Sequence, residues 1–324
     1  TANAASNTEI SAPAAAINNK ATASYSVGTV AQPVVESNTV TVNVTETANF
    51  SLVSLVADND NNPDTAINQT AIPGGSTLFT HALANTGNVT DTYTVNTTSL
   101  NDANITTAVP DYALGTSNAI TYTIVQTDGT TLTPAQVTAL PTGQNQTGTL
   151  NNGGTLKLPP GYRANLSYAA STPNNQNGND KGVGTLTATS TFFTTVNATK
   201  PTLVNENQTL VRLPVFKIEK SATCGTSSPC TTLDLTATTP TIDYSIKVTN
   251  VTTTYSADAT GFVIRDILPI GMTLSGSVTA NGATVTSSGR TADDRQIIDV
   301  AVTNLVVGAN QAISFKVNVD KTKY

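Results

Sequence analysis

The strongest constraint on this chain is an internal repeat whose parts stand in an unexpected order. Two segments near the N-terminus, residues 20–25 and 35–42, echo residues 185–190 and 204–211. Each pair combines a segment rich in Thr and Ala, a polar connection, and a segment entered through Glu and Asn. Self-similarity of this kind indicates repeated structural units. The chain thus begins with a copy of segments that elsewhere close a domain.

The remainder of the repeat is in the usual order. Three further matches follow: residues 50–53 with 216–218, residues 79–85 with 244–250, and residues 166–168 with 313–315. After Tyr168 the first copy continues through two more strand-like segments, whereas the sequence ends within ten residues of Phe315. We therefore expect the second copy to lack its last two strands, and residues 17–44 have the character of that missing piece.

Composition and residue alternation favour strands. The 324 residues are 38% hydrophobic and 11% charged, with one Met and no Trp, and Thr, Asn and Val are abundant. Thr and Val suit pleated, half-buried surfaces. Alternating segments such as residues 39–44 and 243–248 predict strands, and clusters of Gly, Pro, Asn and Asp predict turns. Residues 133–140 open with Thr-Pro and fit either a short helix or a loop turn. The length accommodates two domains and an extension.

Charge and hydropathy argue against two classes of partner. The net charge of -6 leaves no basic stripe to displace counterions from nucleic acid. No apolar run is long enough to span a bilayer, which requires about 20 residues. The first residue is Thr1, and the neighbouring small residues resemble a cleavage site, so we interpret a signal peptide as already removed. These features predict a secreted protein, extracellular or at the cell surface.

The two cysteines predict a disulfide. Cys224 and Cys230 are the only cysteines, and five residues separate them. Two close cysteines in a secreted chain most simply close a short structural loop. In the chain-entropy model a loop of this size stabilises the fold by about 2 kcal/mol. A redox motif would require two intervening residues and an adjacent helix.

One acidic segment has oxygen ligands at the spacing of a metal site. Asp58, Asp60, Asn62 and Asp64 alternate along residues 58–64, and such oxygens can converge on Ca²⁺. The segment lacks the Gly and the closing Glu of an EF-hand loop. A polar loop, in which Asn and Asp favour turns, explains the same residues. Both interpretations remain open.

The sequence offers little for catalysis. His81 is the only histidine, and its spacing from Phe79 and Leu83 places all three side chains on the inward face of a predicted strand. Asp293 and Asp294 stand beside arginines in a polar segment that a solvated turn explains. No phosphate-binding loop or nucleophile elbow is visible. We therefore expect a protein that is not an enzyme.

One motif carries a family resemblance. Tyr244, Ile246, Val248 and Asn250, followed by the Asp-Ile-Leu-Pro-Ile-Gly of residues 266–271, resemble the DUF11 repeat of bacterial and archaeal surface proteins. Residues 73–88 resemble a divergent copy of that repeat, and residues 17–23 resemble its closing strand. The resemblance implies Ig-like β-sandwich domains in a secreted surface or fibre protein, and it implies no catalytic residues.

Together these observations predict an all-β chain with two tandem Ig-like β-sandwiches and an N-terminal β-strand arm. We expect the arm at residues 1–47, the first sandwich at 48–213, and the second, lacking its last strands, at 214–324. A sandwich that ends early exposes unpaired backbone groups and an apolar groove, which another chain's strand can fill. The predicted subunit-interface residues in the arm are Ile17, Ala21, Ala23, Tyr25, Val40, Val42 and Val44.

The leading hypothesis is a homopolymer, assembled head to tail by donor-strand complementation into a pilus-like filament for adhesion or cell contact. An asymmetric contact of this type generates open filaments unless the rotation closes. Two alternatives remain. The arm can fold back on its own chain, which makes a monomeric surface spacer, or the chain can be a ligand-binding adhesin module. The aromatic content of 5% weighs against an adhesin.

Overall fold

The computed structural model describes residues 10–58, 64–99, 111–116, 119–195, 201–287 and 289–324, and almost all of their regular structure is β-strand. The chain divides into two compact units. The first comprises Thr1–Gln176 and Asp180–Leu210, and the second comprises Asn177–Asn179 and Val211–Tyr324. The all-β class predicted from the sequence is confirmed.

The N-terminal segment forms one long β-hairpin, residues 10–48, called the N-terminal hairpin below. Its strands are β1 (Ile10–Asn19), β2 (Thr22–Ala23), β3 (Ser26–Val27), β4 (Val30–Ala31), β5 (Val35–Glu36) and β6 (Val40–Ala48). β1 pairs antiparallel with β6, β2 with β5, and β3 with β4. Gly28, with a φ of +64°, begins the two-residue turn at the tip, a position where a positive φ favours glycine.

The rest of the first unit is a β-sandwich. Its elements are β7 (Phe50–Ser54), β8 (Thr65–Ala71), β9 (Ser76–Asn85), β10 (Asp91–Ser99), β11 (Tyr112–Ala113), β12 (Ile120–Gln126), α1 (Pro134–Thr138), β13 (Thr147–Leu150), β14 (Gly154–Leu158), β15 (Tyr162–Ser171), β16 (Lys181–Ser190), α2 (Thr191–Thr195) and β17 (Thr202–Val211). In the described residues, one sheet has the order β13-β12-β15-β9-β7. The other has the order β14-β10-β16-β17-β8, with β11 beside β16.

Contacts between the two sheets define the first core. The Phe50 ring of one sheet lies 5.2 Å from the Tyr93 ring of the other, measured between centroids. Asn207 donates from its side-chain amide to the Tyr168 hydroxyl at 2.6 Å, again across the sheets. The residues around 133–140 form the short helix α1, because Thr133 caps its N-terminus and the helix begins with Pro134.

The described residues of the second unit form fewer strands than those of the first. They are β18 (Phe216–Thr223), β19 (Thr241–Asn250), β20 (Ala259–Ile267), β21 (Met272–Ala280), β22 (Thr284–Ser287), β23 (Ile297–Leu305) and β24 (Asn310–Val319). In the described residues they form one sheet in the order β18-β19-β24-β21 and another in the order β20-β23-β22. Alternate residues of β24 and β23, including Phe315, Val317 and Val300, are buried between them.

Strand register confirms that the two units repeat one plan. Tyr168 pairs with Phe79 between β15 and β9, and Phe315 pairs with Tyr244 between β24 and β19. The paired rings are 5.7 Å apart in the first unit and 5.6 Å apart in the second. The match between residues 79–85 and 244–250 that the sequence predicts is therefore a match in sheet position.

An asparagine anchors the same corner of each unit. Asn85 donates from its side-chain amide to the Val89 and Leu158 carbonyls, both at 2.8 Å. Asn250 donates in the same way to Ala257 at 2.9 Å and to Leu305 at 3.0 Å. Val89 and Ala257 lie in the β9–β10 and β19–β20 connections, and Leu158 and Leu305 are buried residues of β14 and β23, so each asparagine ties a connection to a neighbouring strand. They also provide a landmark for equating residues of the two units.

Candidate functional site

The candidate site is the free edge of β20, together with the face of β18 that packs toward it. In the first unit β10 pairs with β14 on one side and β16 on the other. In the second unit, β20 pairs with β23 and stands at the end of its sheet as far as the described residues show. β20 thus has an unpaired edge where β10 receives the β16–β17 pair. An unpaired edge is a template for another strand.

The asparagine landmark equates residues of β10 and β20. Leu158 faces Asp91 and Leu305 faces Ala259, and both leucine carbonyls accept the anchoring bond. The register of β20 with β23 is the same on both sides of Gly261, which has a φ of +62°. The inward positions change there, since Ala259 and Ile264 are buried whereas Gly261 and Val263 are exposed. Phe262 contacts Phe216 as Tyr93 contacts Phe50. Beyond Gly261 we therefore equate Tyr93 with Phe262, Val95 with Ile264, and Thr97 with Asp266, which leaves one extra residue in β20.

The inward face of β18 is uncovered. Phe216 pairs with Asn250 as Phe50 pairs with Asn85, and Ile218 and Leu52 are the next inward residues. Phe50 and Leu52 are 0% and 2% exposed, whereas Phe216 and Ile218 are 42% and 66% exposed. The two strands have the same position in their sheets. The difference arises from what lies opposite them.

Aromatic contacts show what covers Phe50. Its ring lies 5.2 Å from Tyr93 and 5.5 Å from Phe193, which belongs to α2 directly after β16. Phe216 repeats the first contact, with Phe262 at 5.1 Å. In the described residues no ring of the second unit takes the place of Phe193. The uncovered surface formed by Phe216, Ile218, Phe262 and the β20 edge is called the open groove below.

An ion pair lies at the far end of the open groove. Lys220 donates from Nζ to both carboxylate oxygens of Asp266, at 2.8 and 2.7 Å, and so joins β18 to β20. The same ammonium lies 4.6 Å from the centre of the Tyr244 ring. Ser54 and Thr97 occupy the equivalent positions in the first unit. A charged pair therefore replaces two small polar residues where the sandwich is open.

The N-terminal hairpin presents the complementary apolar surface. Ile17 pairs directly with Val42, and Val40 and Val44 lie on the same face of β6 because alternate residues share a face. These four side chains and Tyr25 are all exposed. The two remaining predicted interface residues, Ala21 and Ala23, are exposed as well. An isolated two-stranded hairpin is marginally stable in water, so such a surface favours a partner.

The base of the hairpin is fixed to the first sandwich. Asn88 donates from its backbone to the Thr47 carbonyl at 2.8 Å and from its side chain to the Thr45 carbonyl at 3.0 Å. Its side-chain oxygen accepts from the Thr47 backbone at 2.6 Å. At Gly87 an added Cβ would meet the Thr47 carbonyl at 2.4 Å. The base is thus held by the first unit, while residues 16–45 are exposed apart from the half-buried Gln32.

Cys224 and Cys230 form the disulfide predicted from the sequence, with their Cα atoms 5.1 Å apart. The bond closes a loop directly after β18. The Cys230 backbone donates to the Ala222 carbonyl at 2.8 Å, which turns the loop back along the strand. The disulfide therefore supports the end of the strand that carries Phe216 and Ile218.

The predicted calcium segment is described only in part. Asp60 and Asn62 lie outside the described residues. Asp58 accepts from the Ile67 backbone at 2.9 Å. Asp64 is fully buried, and this burial raises the pKa of its carboxyl to about 6. In the described ranges no group of three or more His, Cys, Asp and Glu residues could hold a metal. Calcium binding stays a prediction.

The residues considered for catalysis are held in packing or ion-pair contacts. His81 is fully buried, which confirms its inward orientation, and burial lowers the pKa of its imidazole to about 3. Its ring stacks on Tyr168 at 6.1 Å. Asp293 and Asp294 form ion pairs with Arg295 at 2.8 Å and Arg290 at 3.0 Å. These aspartates lie in an exposed turn, as the sequence predicts.

Sequence reasoning missed two parts of the site. The Lys220–Asp266 pair joins residues 46 positions apart, and Phe193 covers Phe50 from a segment that the repeat does not include. The sequence did carry part of the information about the Lys220–Asp266 pair. Phe216, Ile218 and Lys220 alternate on β18, which places Lys220 on the inward face. No local pattern identifies which residue of the facing sheet meets them.

Comparisons with known proteins provide no family for the chain. A scan of protein-family models finds no match, and a search of curated proteins also finds none. Within the described residues, no helix is both long and apolar enough to cross a membrane.

Proposed function

We propose that this protein is the subunit of an extracellular filament, assembled when the N-terminal hairpin of one copy completes the second sandwich of the next. The observation that supports it best is the exposure of Phe216 and Ile218 at positions where the first unit buries Phe50 and Leu52. The two units share one plan, and among the described residues the second unit has no counterpart of the β16–β17 pair, which the hairpin resembles in sequence. We further infer Ig-like domains, a surface location and a role in adhesion or cell contact.

The free energy of docking has two favourable sources. Covering Phe216 and Ile218 removes apolar surface from water and contributes about 2 kcal/mol for each side chain. A strand added at β20 also pairs the unpaired backbone groups of that edge, as in other cases of strand addition. Ordering the hairpin opposes both contributions. Because Gly28 and the strand pairs already define the hairpin, part of that cost is met before docking.

The geometry of the contact favours a filament. The hairpin and the open groove are different surfaces, so each copy offers one donor and one acceptor. A contact between unlike surfaces propagates into open assemblies unless its rotation closes a ring. The partner in this proposal is another copy of the chain.

The test removes the donor surface, the N-terminal hairpin, and the acceptor surface, the open groove, in separate variants. A chain lacking residues 1–46 keeps the open groove, and an Ile218→Asp chain keeps the hairpin. We expect filaments from the unaltered chain and monomers from each variant alone, by negative-stain electron microscopy and light scattering. Mixing the two variants should produce a one-to-one dimer that does not grow, because only one donor and one acceptor remain.

Two results would contradict the proposal. An unaltered chain that stays monomeric at all concentrations would support the monomeric spacer. Filaments from the chain without residues 1–46 would place the polymer contact on another surface. An Ile72→Asp chain is the matched control, since Ile72 is 57% exposed in the first unit and outside both surfaces.

A further inference from the structure

We propose a specific register for this contact, which rests on the proposed function: residues 20–25 of one copy pair antiparallel with β20 of the next, and Tyr25 completes the ring cluster of Phe216 and Phe262. The inference identifies the residue that anchors the hairpin. It also distinguishes one alignment from the other alignments that a free strand edge would accept.

The first unit provides the template. β16 pairs antiparallel with β10, so that Ser190 faces Tyr93, Ala188 faces Val95 and Leu186 faces Thr97. Ser190 and Ala188 are buried, as are Tyr93 and Val95. This face of the pair therefore lies in the core.

The repeat transfers this register to the second unit. Residues 20–25 echo residues 185–190, which places Tyr25 at the position of Ser190 and Ala23 at that of Ala188. The equivalence of β10 and β20 then places Tyr25 opposite Phe262 and Ala23 opposite Ile264. Ala21 falls opposite Asp266, the partner of Lys220.

Side-chain sizes agree with this alignment. In the first unit the position facing Tyr93 holds the small Ser190, and the covering ring comes from Phe193, three residues later. In the hairpin the two sizes are exchanged. Tyr25 stands at the first position, and Gly28, which has no side chain, stands three residues later. One ring is thus available to cover the phenylalanine in each case, Phe193 in the first unit and Tyr25 in the hairpin. The proposed register brings Tyr25 to the exposed Phe216.

The opposite face of the paired strands provides a test that leaves the anchors unchanged. Ser24 falls opposite Val263, which is 53% exposed, and both point away from the core. Directly opposed residues in an antiparallel pair have Cα atoms about 5 Å apart, within the range that a disulfide spans. Residues displaced by two positions are about 8 Å apart, beyond that range.

The experiment uses the full chain with two substitutions, Ser24→Cys and Val263→Cys. After mild oxidation of assembled protein, we expect a ladder of covalent multimers on a non-reducing gel. The matched control carries Ser24→Cys and Arg265→Cys, displaced by two residues on the same face. It should yield at least about tenfold less multimer, since its cysteines exceed the disulfide distance.

A second measurement tests the anchor. Tyr25→Ala should raise the concentration needed for assembly about 100-fold, as expected for losing a buried aromatic ring. Tyr25→Phe should leave that concentration within about twofold, because the ring remains. Val27→Ala is the control on the same side of the hairpin, and its effect should be smaller than that of Tyr25→Ala.

The results separate the register from the function. Filaments in which the Arg265→Cys pair crosslinks and the Val263→Cys pair does not would overturn the register and leave the proposed function standing. Tyr25→Ala filaments that form as readily as the unaltered ones would also overturn it. An unaltered chain that forms no filament would overturn the proposed function and this inference with it.

Discussion

Lys220 and Asp266 join the two sheets of the second unit through a bidentate contact, with Nζ at 2.8 and 2.7 Å from the carboxylate oxygens. The lysine side chain is 40% exposed and the aspartate 12%. An ion pair in contact with water contributes about 0–1 kcal/mol. A docked hairpin would cover this pair, and removing one partner of a buried pair costs about 3–5 kcal/mol. If the protein assembles as proposed, the same pair would therefore contribute differently to the free and the assembled chain.

We predict that Asp266→Asn weakens assembly far more than it weakens the fold. The free energy of unfolding, measured by thermal denaturation below the assembly concentration, should change by less than about 1 kcal/mol. The concentration needed for assembly should rise about 100-fold or more, because Lys220 would be buried without its partner. Glu219→Gln is the matched control, since it removes the same charge from an exposed pair with Lys217. Equal effects of the two variants on assembly would contradict this prediction.

The equivalent phenylalanines should respond differently to truncation. Phe50→Ala should destabilise the first unit by about 3–5 kcal/mol, because the ring is buried against Tyr93 and Phe193. Phe216→Ala should destabilise the unassembled second unit by less than about 2 kcal/mol, since the ring is 42% exposed. Chemical denaturation of each variant measures both values. A larger loss at Phe216 than at Phe50 would show that the groove is closed in the free chain.

Buried His81 should make the first unit less stable in acid. Its folded pKa of about 3 lies below the unfolded value of about 6.5. The unfolded state therefore binds more protons between these values, so stability falls as pH decreases from about 6.5 to 3, by about 1.4 kcal/mol per pH unit at most.

His81→Ile isolates this contribution, because Ile246 occupies the equivalent buried position in the second unit. The difference in unfolding free energy between the two chains should grow as pH falls. Asp64 contributes in the opposite direction, because its raised pKa lowers stability as pH rises toward 6. Its effect cancels in the comparison. A difference that is independent of pH would contradict the prediction.

Substituting Gly87 should loosen the base of the hairpin without unfolding the sandwich. Gly87→Ala places a Cβ 2.4 Å from the Thr47 carbonyl, so the strand must shift and the Asn88 bonds weaken. We expect limited proteolysis within residues 20–40 to accelerate about fivefold or more, as for a loss of about 1 kcal/mol in local stability. Gly143→Ala is the control for a glycine substitution away from the hairpin, since its added Cβ would meet nothing within 4 Å, although its φ of +80°, unlike that of Gly87, adds local backbone strain. Equal cleavage rates would show that the base is not what orders the hairpin.

The sequence by itself determined the class of the fold, the disulfide and the plan of the repeat. Alternation is a local property, because side chains of a strand point to opposite faces with a period of two. It therefore identified His81 as inward-facing and matched residues 79–85 with residues 244–250. The matched residues have the same sheet partners, so the phase of the pattern was sufficient to predict their position.

The tertiary structure alone decided what faces the strands across the core. Phe50 and Phe216 have the same local pattern, and their exposure differs with what covers them, since Phe193 lies against Phe50 and β16 extends the facing sheet of the first unit. Lys220 and Asp266 meet because β18 and β20 face each other from different sheets. Contacts of this kind depend on sheet packing over many residues, and packing depends on which strands are present. No pattern within a single strand contains that information.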